Sequence, residues 1–198
     1  MAKKPDTKVK ATSVTEKAKG LQEEIMLPAG VNATFHDHEL HLNKSGTDVV
    51  RVIHPFIDIT LHEGKLMLHT KRERKVERRL MGTYAAHIKN MIAGLESAFV
   101  YKLKVATVHF PMSVSYDNKT HELVVKNFLG EKTDRRITLV PGVTVTVKGE
   151  DIELKSADIE KAGNVATQIE KGTRVRNKDR RIYQDGIFIV EKPGRTYL

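Results

Sequence analysis

The chain of 198 residues contains no cysteine. That removes disulfides, thiolate catalysis and Cys-ligated zinc, and it fits a reducing, cytoplasmic compartment. Nowhere do about 18 apolar residues run together, so no membrane-spanning helix is expected. The first ten residues, M-A-K-K-P-D-T-K-V-K, lack the apolar stretch of a signal peptide. Reaction signatures are missing as well. There is no G-x-G-x-x-G, P-loop, G-x-S-x-G or H-E-x-x-H, and no pair of acids is spaced for general acid and base work. We expect no catalytic residues and no cofactor. Of the nine histidines, His36, His38 and His41 lie closest together, but structural zinc takes four ligands, commonly thiolates among them, so no metal is expected.

What the chain has in excess is positive charge, +9 formally, and that excess sits at its two ends. Residues 1–22 carry six Lys against two acids, and residues 171–198 carry eight Lys or Arg against three. The 148 residues between them balance at twenty cations and twenty anions. This asymmetry points to a polyanionic partner. The densest stretch is 171–181, K-G-T-R-V-R-N-K-D-R-R, with six cations and one anion. Lys171, Arg174, Arg176, Lys178, Arg180 and Arg181 would each neutralise a phosphate and release a condensed counterion. The arginines can also fork onto phosphate or stack on a base. Asn177 and Gln184 add neutral hydrogen-bonding groups, and Tyr183 is suited to packing or to base stacking. With nothing that reads a base sequence, recognition of RNA shape and backbone is the expectation.

Two lesser basic segments stand beside this one. In K126-N-F-L-G-E-K, a loop between strand patterns, Lys126, Asn127 and Lys132 are candidates for a secondary RNA contact, with a plain connecting loop as the other reading. In K71-R-E-R-K-V-E-R-R, Glu73 and Glu77 fall at helical spacing from Arg74, Arg78 and Arg79. That reads as a solvated helix face with internal ion pairs.

Residues 1–22 show little apolar periodicity and read as a flexible basic arm. From residue 23 apolar residues alternate in the period of two of half-buried strands: Ile25 and Leu27, then Val31, Ala33 and Phe35, then Leu40 and Leu42. Further strands are expected at 49–53, 57–61 and 65–69, with turns at 28–30, 37–38 and 63–64. The period then changes to three and four at Leu80, Tyr84, His87, Ile88, Met91, Ile92, Leu95 and Phe99, the stripe of an amphipathic helix. Thr70 and Glu73 have capping-box spacing at its start. Ala85, Ala86, Ala93 and Gly94 would let it approach a sheet closely.

Beyond residue 100 the pattern recurs. With Pro28 set on Pro111 and no gap, Val31 falls on Val114, and His38-Glu39-Leu40 falls on His121-Glu122-Leu123. After three inserted residues, I57-D-I-T-L falls on V143-T-V-T-V, Leu66 and Leu68 fall on Ile152 and Leu154, and Thr70 falls on Ser156. A second helical stripe follows at Ile159, Ala162, Ala166 and Ile169. Two copies about 85 residues apart are too long for a solenoid. The expected fold class is α+β: two tandem copies of a small, mostly antiparallel sheet with one helix packed on a face. The expected division is an arm at 1–22, a first copy at 23–104, and a second copy at 105–198 that includes the basic segment and a final strand at I187-F-I-V.

Four motifs in order, M81-G-T-Y-A-A-H-I-K-N-M-I-A-G-L, H109-F-P-M, V125-K-N-F-L-G-E-K and R176-N-K-D-R-R-I-Y-Q-D-G-I-F, resemble the ribosomal protein family numbered six in the universal scheme for the large subunit, in its archaeal and eukaryotic form. The resemblance covers residues 23 to about 190. It implies two tandem α+β copies and a cytoplasmic, ribosome-bound structural protein. It also implies binding to large-subunit ribosomal RNA, chiefly through the second copy, near the sarcin-ricin loop, with ribosomal proteins as neighbours and translation GTPase factors nearby. An RNA- or acidic-partner-binding module outside the ribosome is the alternative.

Overall fold

The computed structural model describes residues 20–62 and 64–197. The expected arm at 1–22 lies outside these except for its last three residues, and Glu63 of the expected 63–64 turn lies outside them too. The first seven elements are β1 (Gln22–Met26), β2 (Asn32–His36), β3 (Glu39–Lys44), β4 (Thr47–Val52), β5 (Ile57–His62), β6 (Lys65–Thr70) and α1 (Lys75–Glu96). The next seven run in the same order: β7 (Phe99–Ala106), β8 (Ser113–Asp117), β9 (Glu122–Lys126), β10 (Arg135–Thr138), β11 (Thr144–Lys148), β12 (Asp151–Ser156) and α2 (Ile159–Gly172). Two strands follow, β13 (Gly186–Lys192) and β14 (Arg195–Thr196).

Each copy has two sheets and one helix, and every strand pairing is antiparallel. In the first copy the sheet orders are β1-β6-β5 and β2-β3-β4; in the second they are β11-β12-β7-β13-β14 and β10-β9-β8. The alternation in sequence becomes inside and outside in space. Leu40, Leu42, Leu66 and Leu68 are completely buried in the first core, and their counterparts Leu123, Val125, Ile152 and Leu154 are completely buried in the second. Each such side chain contributes about 1.5–3 kcal/mol on leaving water. The two-residue turns work because Asp37, His38, Ser45 and Gly46 all take positive φ, the geometry whose twist matches paired antiparallel strands.

Several expectations change. The strand at 99–106 is continuous and pairs with β12 and β13, burying Leu103 and Val105 in the second core. A boundary at 104/105 would cut it, so we place the division at Ser97, where α1 ends. Phe99 accordingly belongs to β7 and not to the helical stripe. Helix α1 starts at Lys75 and not at Thr70, because Thr70 completes β6 and its hydroxyl is already engaged. It accepts the Leu21 amide at 3.2 Å and donates to the Arg72 carbonyl at 3.1 Å. Ser156 is placed in the same way, and Asp158 caps α2 by accepting from the amides of Glu160 and Lys161. Of the small residues in α1, Ala85 is buried, whereas Ala86 and Ala93 are exposed. Gly94 meets the second copy: a Cβ there would stand 1.9 Å from the Ala157 carbonyl oxygen. Beside that contact Glu160 accepts from Arg51 at 2.5 Å and lies 2.9 Å from Nδ1 of His87, joining the copies.

Candidate nucleic-acid interface

Helix α2 delivers Lys171 in its last turn and stops at Thr173. Thr173 is buried, and its hydroxyl donates to the Ile169 carbonyl while accepting the Ile187 amide at 3.0 Å. This bond fixes the width of the loop at residues 173–185, since it joins the end of α2 to the start of β13. Val175 points inward and is buried. Arg174, Arg176, Asn177, Lys178, Arg180, Arg181 and Gln184 are exposed around it, as is Lys171. Among the described residues, none of these six cations stands within 4.0 Å of a carboxylate. Their charge is therefore available to a ligand.

The loop has its own internal order. The Asp179 side chain accepts the Arg181 amide at 2.9 Å, and its carbonyl accepts the amides of Ile182 and Tyr183. The Gln184 amide nitrogen donates to the Arg181 carbonyl at 3.1 Å. Asn177 takes a positive φ of 58°, which an asparagine tolerates. Lys171, Arg174, Arg180, Tyr183 and Gln184 line a cleft of about 650 Å³. Lys171, Arg174, Arg176 and Asn177 also border a neighbouring hollow of about 520 Å³. Arg181 borders neither, although its backbone sits at the centre of the turn.

Asp185 is the anchor of this loop. Its side chain is fully buried, one oxygen accepts the amides of Val108 and His109 at 2.8 and 2.9 Å, and the other lies 2.7 Å from Nδ1 of His109. Burial alone would raise its pKa, but the His109 amide and imidazole, together with the Val108 amide, hold it at about 2. His109 thus has a polar partner. Its ring also stacks on Tyr183, with centroids 4.9 Å apart, and Lys178 Nζ stands 4.6 Å from the Tyr183 ring. Tyr183 is half-buried in this stack, so part of its ring surface is already in use.

The secondary candidates fall beside the main segment. Arg135 brings them there: it bonds Glu131 twice, at 2.6 and 2.8 Å, lies 3.9 Å over the Phe128 ring, and donates to the carbonyls of Gly172 and Arg174. That pair lowers the Glu131 pKa, chiefly through the hydrogen bonds from Arg135. Phe128 is fully buried and pins the loop. Lys126 and Lys132 are exposed, whereas the Asn127 side chain donates to the Pro111 carbonyl at 2.9 Å. Sequence reading missed Arg135, His109 and Asp185; only the positions of His109 and Asp185 inside distinctive motifs hinted at them.

The histidine set is spread over strand, turn and strand, with His41 beside Asp48 and Glu39. Among the described residues no group of three His, Asp or Glu is placed to hold a metal, and no helix is long and apolar enough to cross a membrane.

Two sheet-and-helix copies with buried apolar cores, the second carrying a cationic loop braced by hydrogen bonds, define a duplicated α+β scaffold. Comparison with known proteins gives the family. A model described as Ribosomal protein L6 matches residues 110–186. The protein named large ribosomal subunit protein uL6 of Methanococcus vannielii is 38% identical over 178 residues, which is 89% of this chain and 96% of that protein. Its namesake in Methanobrevibacter smithii is 34% identical over 176 residues, 88% and 98% of the two chains. That of Archaeoglobus fulgidus is 39% identical over 135 residues, 68% of each. The chain belongs to the ribosomal protein L6 family in its archaeal form, a structural and non-enzymatic family of the large ribosomal subunit, located on the ribosome in the cytoplasm.

Proposed function

We propose that the chain binds large-subunit ribosomal RNA as an electrostatic clamp near the sarcin-ricin loop and the translation-factor site, among neighbouring ribosomal proteins. The cations at 171–181 engage phosphates, and Lys126, Asn127 and Lys132 add a flanking contact. The observation that carries this reading is that six cations, none within 4.0 Å of a carboxylate among the described residues, project from the end of α2 and from a loop whose shape is fixed at Thr173, Asp185 and Arg135. A braced loop loses little conformational entropy on binding, so its charge is converted efficiently into affinity. The placement near the sarcin-ricin loop and the factor site follows from family resemblance.

The test is binding of the full chain to a large-subunit RNA fragment containing the sarcin-ricin region, across a salt series, with an unrelated RNA as control. Preferential binding to the fragment is expected. Charge reversal at Arg176, Arg180 and Arg181 should reduce affinity and flatten the slope of log K against log salt by about two. Affinity and slope at wild-type values in that variant would overturn the clamp, and equal binding to both RNAs would overturn the location.

A further inference from the structure

The first copy carries a cationic face of its own, at the start of α1. The expected ion pairs within residues 71–79 do not form. Helix α1 begins only at Lys75, so residues 71–74 form an extended approach to it, and Glu77 turns inward to be buried with Oε2 unpartnered. Lys71, Arg72, Arg74, Lys75, Arg78 and Arg79 are all exposed, with Glu73 the one exposed acid in the run. Among the described residues only Lys71 has a carboxylate within reach, Asp58 at 3.6 Å. The helix start has no side-chain cap, so its first amides lack a side-chain acceptor.

An aromatic wall faces these cations. A cleft of about 410 Å³ is lined by Phe56, Lys71, Arg72, Arg74, Val76 and Glu77. Phe56 and Val76 are 54% and 57% exposed, and both line this cleft. Phe56 is also held in place: its amide donates to Nδ1 of His54 at 3.2 Å, and the two rings lie 4.6 Å apart. The cleft therefore combines a fixed aromatic surface with arginines at the rim.

We propose that this cleft is a second RNA site, which takes an unpaired nucleotide of a single-stranded or looped segment. It rests on the reading of the chain as an RNA-binding protein but uses a separate surface. The base lies against Phe56 and Val76, and the flanking phosphates lie on Arg72 and Arg74. A nucleotide suits both halves of the cleft, because its base presents a flat face to the Phe56 ring while its phosphates meet the guanidinium groups. With this site, the chain joins two RNA segments, one on each copy.

The experiment uses the full chain with Arg176, Arg180 and Arg181 reversed, which weakens the main surface, and a single-stranded RNA of about ten nucleotides as probe. Phe56→Ala should weaken its binding by about ten-fold. Arg72→Glu with Arg74→Glu should weaken it further and lower the salt slope by about 1.4, given about 0.7 per single-strand phosphate. Thermal melts check that each variant folds, as expected for exposed positions. Unchanged affinity in these variants would overturn the proposal. So would displacement of the RNA by polyglutamate that depends equally on Phe56, which would mark an acidic protein partner. These outcomes leave the main clamp untouched, because that is read separately from the sarcin-ricin fragment with residues 171–181 intact.

Discussion

The two copies differ most instructively at two matched positions. Strand pairing sets Val49 and Arg51 opposite Leu42 and Leu40 in the first copy, and Arg135 and Ile137 opposite Val125 and Leu123 in the second. One polarity pattern is thus the reverse of the other. In the first copy the arginine reaches outward to Glu160 and His87 and joins the copies. In the second, Ile137 packs against Gly172, where a Cβ would stand only 2.5 Å away, and Arg135 braces the end of α2 and the basic loop. The buried frame is common to both copies, and the residues that separate their roles sit beside it on the same strand. The three-residue insertion between the copies falls in the loop between β9 and β10 that Arg135 secures.

The comparison is broken most forcefully in the frame. Leu40→Ala and Leu123→Ala each remove a completely buried side chain, and each should cost about 2–5 kcal/mol. Chemical denaturation measures both. Similar costs are expected if the copies share one packing solution, whereas a cost confined to Leu123 would mean that the first copy packs loosely and matches only in outline.

Asp185 distinguishes the second copy next most strongly. Its folded pKa of about 2 lies below the ordinary 3.8. The protonated form is favoured in the unfolded chain, so this stabilisation is complete above pH 3.8 and is lost as pH falls toward 2. The gap corresponds to about 2 kcal/mol. Asp185→Asn keeps the size of the side chain, so it should lower stability at neutral pH and flatten the stability curve between pH 4 and 2. An unchanged acid limb in urea titrations at several pH values would remove Asp185 as the anchor of the basic loop.

The frame was legible in the sequence because burial writes itself locally, as a period of two. Leu40, Leu42, Leu123 and Val125 are plain on that basis. One detail escaped for the same reason. Set without a gap, Val31 aligns with Val114, yet pairing makes Ala33 the counterpart of Val114: Ala33 faces Leu42, and Val114 faces Val125. The turn at 118–121 has two more residues than the turn at 37–38, and a shift of two leaves every side chain on its original face. The cations of the site were legible as composition, but their supports were not. Asp185 acts on His109 across 76 positions and Arg135 on Gly172 across 37, and neither separation leaves a periodic trace. The ion pairs expected within 71–79 failed because helical spacing assumes a helix from residue 71, whereas α1 starts at Lys75.

The smallest effect concerns the tie between the copies. Arg51 is 29% and Glu160 47% exposed, so water and salt screen their attraction, and Glu160→Gln should cost no more than about 1 kcal/mol. Its signature is therefore its salt dependence. The cost should shrink at about 1 M salt, where the screening length is about 3 Å. Gly94→Ala provides the contrast, since it drives a Cβ into the Ala157 carbonyl across the same junction and its cost should be insensitive to salt. If both variants respond alike to salt, the junction is held by packing alone, and the arginine at position 51 has some purpose other than joining the copies.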